Sequence, residues 1–352
     1  MNLWTLKNKK VYVFTAVLLL GLLTILKPND DMPEDKRLSS GYSVIKGNMV
    51  KIDNYSNIIN YEYKLNKRKK VSKKELTLLD KKFGIVNEID IFAQANDESE
   101  RIRYFEEYPQ GLCITNDFVF ISSYSEVRGQ MGKIKVFDKD NGELLLTLGM
   151  DENSHLGGLT YDGRYLWVCN SSKMSIERIS YGFIQQMIYE NKGKLIDARN
   201  LVDIYRVKNI PSCVTYYDGQ LWVATHSIWT NATMVGYHYN EERDRLNSLV
   251  TFWVPPKVQG VAFSEEGEVI LSTSYGRRNS SYLKKYNSIY EMTGDVNHYA
   301  ELIELPPCSE GIVCRENKIY VLFESAGRKY LEDTDGKGKS HSPLNKIIEI
   351  SK

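Results

Sequence analysis

The 352-residue chain has no surplus of charge. Its 46 lysines and arginines face 45 acids, a formal net charge of +1, so no global field recruits nucleic acid. Catalytic signatures are missing as well: there is no Gly-x-Ser-x-Gly elbow, no His-Glu-x-x-His and no glycine-rich phosphate loop. His155, His226, His238, His298 and His341 have no metal-ligand spacing, and neither a metal nor another cofactor is implied. No Cys-x-x-Cys pair occurs among Cys113, Cys169, Cys213, Cys308 and Cys314, and an odd number cannot all pair within one chain. All but Cys308 fall on expected strands and read as small core residues, with a Cys308 to Cys314 bridge as the alternative. What the chain does have is a 42% hydrophobic share, ample for a large core.

The first 35 residues break the charge balance. Lys7, Lys9 and Lys10 precede an uncharged run from Val11 to Leu26, and Asp30, Asp31, Glu34 and Asp35 follow Lys27. The positive-inside rule then leaves the N-terminus in the cytoplasm and places residues 36–352 outside the membrane. The run rises only about 24 Å as a helix, so spanning calls on Trp4, Tyr12 and snorkelling lysines. The rival is a cleaved signal peptide, against which Thr24-Ile25-Leu26-Lys27 offers no small-x-small site. The expected organisation is a cytoplasmic tip and signal anchor over 1–27, a Pro-bearing linker over 28–42 and a β domain over 43–352. Within the last, residues 71–83 have a helical period.

From residue 84 onward strands dominate, and five segments repeat. They read Gln110-Gly111-Leu112-Cys113-Ile114, Gly157-Gly158-Leu159-Thr160-Tyr161, Ser212-Cys213-Val214-Thr215-Tyr216, Gln259-Gly260-Val261-Ala262-Phe263 and Glu310-Gly311-Ile312-Val313-Cys314. Starts at 110, 157, 212, 259 and 310 are 47, 55, 47 and 51 residues apart, the length of one four-stranded propeller blade. The fold class is therefore an all-β β-propeller of five blades, or six if residues 43–66 build another. Repeat two is lengthened over Gly182 to Arg206, where a short helix is expected, and repeat five carries a polar insertion over Asp333 to Ser342. The last repeat ends with a third strand at Leu344 to Ile350, so Ile85 to Phe92 is the natural fourth strand that covers its open edge.

In a propeller the first strand of each blade lines the axis, and equal register means equivalent position. Counting from the residue before the glycine, one ring holds Gln110, Gly157, Ser212, Gln259 and Glu310. A second, fourteen residues on, holds Tyr124, Ser171, His226, Thr273 and Glu324. Arg128, Arg277 and Arg328 share a further register eighteen residues on, which predicts three guanidinium groups at one rim and an anionic pocket there, or arginines paired with neighbouring acids such as Glu126 or Glu324. The expected ligand-binding set is Gln110, Arg128, His226, Gln259, Tyr275, Arg277, Glu324 and Arg328. Glu310, a carboxyl near the axis, is the candidate for chemistry.

The strand pattern over residues 105–350 resembles NHL-like and gluconolactonase-like propellers. Pro306-Pro307-Cys308-Ser309-Glu310-Gly311 and Leu322-Phe323-Glu324-Ser325-Ala326-Gly327-Arg328-Lys329-Tyr330 look like exported proteins of Gram-positive bacteria. Lactonases of the gluconolactonase kind hold a divalent metal at the axis; Glu310 and Asn170 match its ligand types, but neither ring holds an aspartate, and no metal is assigned. Val258-Gln259-Gly260 with Ser274-Tyr275-Gly276-Arg277 is similar to plant-type glutaminyl cyclases, five-bladed propellers whose catalytic glutamate precedes a repeat glycine. That resemblance implies acyl transfer through Glu310, which stands in a different blade. Two functions follow: a membrane-anchored extracytoplasmic propeller that binds an anionic small molecule, a peptide or a cell-envelope protein without catalysis, or a channel-sited cyclase-like or lactonase-like enzyme using Glu310.

Overall fold

The structure, a computed structural model, describes residues 50–53, 62–65, 83–98, 106–152, 154–340 and 342–352. The expected anchor over 11–26, the linker over 28–42 and almost all of the helical period over 71–83 lie outside the described residues. Among the described residues no helix is long and apolar enough to cross a membrane.

Among the described residues three short strands precede the repeats: β1 (Val50–Asp53), β2 (Glu62–Leu65) and β3 (Phe83–Val86). Blade one is β4 (Glu107–Ile114), β5 (Phe118–Ser125), β6 (Met131–Asp138) and β7 (Leu144–Glu152). Blade two opens with β8 (Leu159–Tyr161), β9 (Tyr165–Asn170) and β10 (Ser175–Ser180). Its insertion forms helix α1 (Tyr181–Asn191), whose first turn is capped by the Ser180 hydroxyl accepting from the Phe183 N–H. The chain then adds β11 (Leu195–Asp197) parallel to β7 at the outer edge of blade one, before β12 (Asp203–Arg206) completes blade two. This insertion ties two blades together.

Blade three is β13 (Cys213–Tyr217), β14 (Gln220–Ala224), β15 (Ala232–Asn240) and β16 (Arg245–Val254). Blade four is β17 (Val258–Phe263), β18 (Val269–Thr273), β19 (Ser281–Tyr286), the short helix α2 (Ile289–Gly294) and β20 (Glu301–Leu305). Blade five has β21 (Ser309–Arg315), β22 (Lys318–Phe323), helix α3 (Arg328–Glu332) and β23 (Ile347–Ser351), with β3 antiparallel to β23 as its outer strand. There are five blades. The described parts of residues 43–66 do not build a sixth: β1 pairs with β20 and β2 with β1, so these two strands extend the sheet of blade four. The strand on the edge of blade five is Phe83–Val86 and not Ile85 to Phe92, because Ile89, Ile91 and Phe92 turn inward and pack between blades five and one.

Five apolar clusters account for the architecture, one at each junction between neighbouring blades. A blade buries both faces, which is why β5 and β6 are apolar or buried along nearly their whole length while β16, on the outside, alternates. Cys113, Cys169 and Cys213 lie in these clusters, and all five cysteines are free thiols.

Nearest the axis the first strands touch backbone to backbone, and the repeated glycine makes this feasible. A Cβ on Gly111 would meet the Gly158 Cα at 2.9 Å, one on Gly158 the Cys213 Cα at 2.8 Å, and one on Gly311 the Leu112 nitrogen at 2.6 Å. Each glycine thus seats the next blade, and the ring closes from blade five onto blade one.

Candidate functional site

The residue before the glycine is aimed by a local irregularity. In blades one, four and five the pairing of first and second strands slips at this residue, between Pro109 and Leu112, Val258 and Gly260, and Ser309 and Ile312. Such bulges re-aim a side chain without ending the strand. They turn Gln110, Gln259 and Glu310 into one cluster with Glu324, which follows β22. The Gln110 amide donates to Glu324 Oε2 at 3.0 Å, and the Gln259 amide donates to Glu310 Oε1 at 3.1 Å. The Tyr330 hydroxyl donates to the other Glu324 oxygen.

Glu310 and Glu324 lie close enough to act on each other's protonation. Burial drives the Glu310 carboxyl well above the usual carboxylate range, and the neighbouring Glu324 charge adds to it. Burial likewise raises Glu324, against the pull of the Lys329 ammonium. Glu310 is 2% and Glu324 8% exposed.

Lys329 supplies the positive charge. Its ammonium donates to the Tyr124 hydroxyl at 2.6 Å and to Glu126 Oε1 at 2.7 Å. It also lies 4.1, 5.0 and 5.0 Å from the ring centres of Tyr108, Tyr124 and Tyr330, so three aromatic faces surround it. Burial first, and then the charge of Glu126, push the Tyr108 phenol up to about 12, so it stays protonated. Beside Tyr124, at 4.5 Å between rings, lies His155; burial and the Lys329 charge lower it to about 4, leaving a neutral imidazole at neutral pH. His226 holds the Val258 carbonyl with Nδ1 at 3.0 Å.

The three arginines do not form the expected free rim. Arg277 is buried, donates to the carbonyls of Lys329 and Gly338 at 2.9 and 2.7 Å, pairs with Asp335 and lies 4.7 Å from the Tyr330 ring. It holds the blade-five insertion in place. Arg328 turns outward to Glu106 and to Glu332. Arg128 is exposed and has no ion pair among the described residues. Shared register fails here because α3 starts at Arg328, and each helical residue rotates about 100° from the last, so it is Lys329 that points at the axis. Tyr275 belongs to another group, with Trp229 at 6.3 Å between ring centres and the Lys257 ammonium at 4.9 Å. The signal in the sequence that marks this site is the run Lys329-Tyr330, together with Tyr108 two residues ahead of Gln110. Among the described residues no group of three or more His, Cys, Asp or Glu side chains is arranged to hold a metal ion.

No protein-family model matches the sequence, and no curated protein matches it. Among solved structures the chain is similar to one in a nidogen/laminin complex, with 12% identity and a TM-score of 0.39 over 63% of this chain and 74% of that one. It is also similar to a chain of Kuenenia stuttgartiensis hydrazine synthase, with 12% identity and a TM-score of 0.36 over 64% of this chain and 58% of that one. Both are β-propeller-type folds.

Proposed function

We propose that this propeller is a binding module, held at a membrane through residues 11–26 with its blades outside, that takes a ligand or partner at the axis without turning it over. The observation that carries this reading is the enclosure of Glu310, which is 2% exposed and engaged by Gln259 and Glu324. A carboxyl that moves a proton or attacks a carbonyl has to reach its substrate. Glu310 is instead part of the wall that holds Gln110, Gln259 and the tyrosines in position.

One observation favours an enzyme as the second reading. Glu310 and Glu324 act on each other's protonation, and paired carboxyls of this kind serve as acid and base where a substrate can reach them. This supports cyclase-like or lactonase-like chemistry, as the resemblance implies.

The full chain incubated with lactones, N-terminal glutaminyl peptides and cell-wall fragments separates the two. Retention of a ligand without turnover is expected of the wild type. Turnover that vanishes in Glu310→Gln would establish the enzyme and end the binding reading. The topology is checked by protease treatment of intact protoplasts, which should degrade residues 36–352; full protection would overturn the placement outside.

A further inference from the structure

The feature at the axis with the least structural excuse is Lys329. A buried lysine inside a ring of tyrosines is not needed to close a blade. Blades one and five show the contrast: residues 126–130 suffice to join β5 to β6, whereas residues 324–346 join β22 to β23 and carry α3. The longer connection brings a cation to a place built from blade one, where Tyr108 and Tyr124 present their rings and Tyr124 its hydroxyl.

We propose that this cage is a binding site for a primary alkylammonium group, either a free amine or a lysine-type side chain, and that Lys329 is its built-in occupant. The inference rests on the binding reading above and names the ligand class for it. The chemistry is specific to a cation with N–H groups. Three ring faces attract positive charge, and the Tyr124 hydroxyl and Glu126 carboxylate accept hydrogen bonds from it at 2.6 and 2.7 Å. The Glu126 carboxylate also supplies the negative charge that a bound cation offsets and that repels an anion.

Exchange needs little motion. Glu126, which the Lys329 ammonium touches, is 51% exposed, so the ammonium lies at the edge of the buried zone. Arg277 grips the Lys329 carbonyl and the Gly338 carbonyl, and the Ser340 N–H donates to the Tyr330 carbonyl at 2.7 Å. The backbone of α3 is therefore fixed, while the four-carbon lysine stem turns on its own rotatable bonds. A ligand ammonium enters as that of Lys329 leaves for water, and Lys329 acts as an internal competitor that lowers apparent affinity.

Calorimetric titration of the full chain with n-butylammonium chloride tests this, with tetramethylammonium and sodium chloride at equal ionic strength as controls. Nα-acetyl-lysine amide serves as a second arm; its binding identifies a residue-borne ammonium, and binding of n-butylammonium alone identifies a free amine. Saturable binding of n-butylammonium is expected, with tetramethylammonium, which lacks N–H groups, no better than sodium. Lys329→Met removes the occupant and should tighten n-butylammonium by about tenfold. If that variant does not fold unaided, n-butylammonium should restore its folding where sodium does not, and Lys329→Arg, which keeps the charge and fills the cage, should fold and lose the binding. No binding by wild type beyond that of sodium, or an Arg variant that binds as wild type does, overturns the proposal. Retention of another ligand from the wider panel would then leave the binding reading standing, and turnover lost in Glu310→Gln would remove that reading without touching the cage.

Discussion

The Glu107 carboxylate meets the Lys135 ammonium at 2.7 Å with both side chains almost wholly out of water. Lys133 reaches the same carboxylate and also Glu98, which ties the segment after β3 to blade one. Burial alone would raise Glu107, but the charges of Lys135 and Lys133 outweigh it and bring the group down to about 2 from 4.5. The folded value lies below the unfolded one, so the stabilisation is complete above pH 4.5 and is lost as pH falls from there towards 2. Glu107→Gln should abolish that acid loss. It should also cost about 3–5 kcal/mol at neutral pH, because two buried ammonium groups lose their shared partner. Urea unfolding of both proteins at neutral and acid pH checks this; a variant as stable as wild type at pH 7 would refute it.

Glu310 has the opposite sign. Its folded value is raised above 4.5 by burial and by Glu324, so the folded chain keeps a proton that the unfolded chain has released. Stability therefore falls as pH rises above 4.5. Glutamine imitates the protonated acid and can still pair with Gln259 and Glu324. Glu310→Gln should be at least as stable as wild type at neutral pH and should flatten the decline above pH 4.5. A variant destabilised equally across that range would show that Glu310 is held as a carboxylate.

What could be read from the sequence follows from how rigidly each element is coupled to the repeat. Gln110, Gln259 and Glu310 were legible as one ring and Glu324 as a member of a second, because they lie on or beside strands whose register recurs in each blade. Lys329 was not, since a helix starts one residue before it and breaks the correspondence with Arg277 and Arg128. The glycine of each repeat was visible, but its cause, the backbone of the next blade, exists only in three dimensions. The pairing of Leu195–Asp197 with β7 was illegible for a related reason: a three-residue strand from the second repeat extends the sheet of the first, and nothing local signals it.

Closure depends on β3. Ile85 stands opposite Ile348 and Val86 opposite Ile347, and without them β23 is an open edge at the last blade. Deleting residues 83–86 should yield a chain that aggregates, seen as light scattering at concentrations where wild type stays clear. A deletion variant that unfolds cooperatively and remains dispersed would show that the other blades suffice.

The axis makes the sharpest demand on a single atom. A Cβ on Gly311 would lie 2.6 Å from the Leu112 nitrogen and 2.8 Å from the Gln110 oxygen, both main-chain atoms of the neighbouring blade. No flexible side chain can yield there, so blades five and one would have to part at the place where Gln110 and Glu310 approach their partners. Gly311→Ala should cost roughly 3 kcal/mol, the upper end for an overpacked core, and should weaken any ligand held by the axis cluster. Gly182, in α1, is the control: a Cβ there meets nothing closer than the Ser180 hydroxyl oxygen at 3.9 Å. Gly182→Ala should be neutral or gain up to about 1 kcal/mol from helix propensity and a less flexible unfolded chain. Unfolding midpoints of the two variants decide the matter, and equal effects would mean that the glycines serve the backbone generally and not the contact between blades.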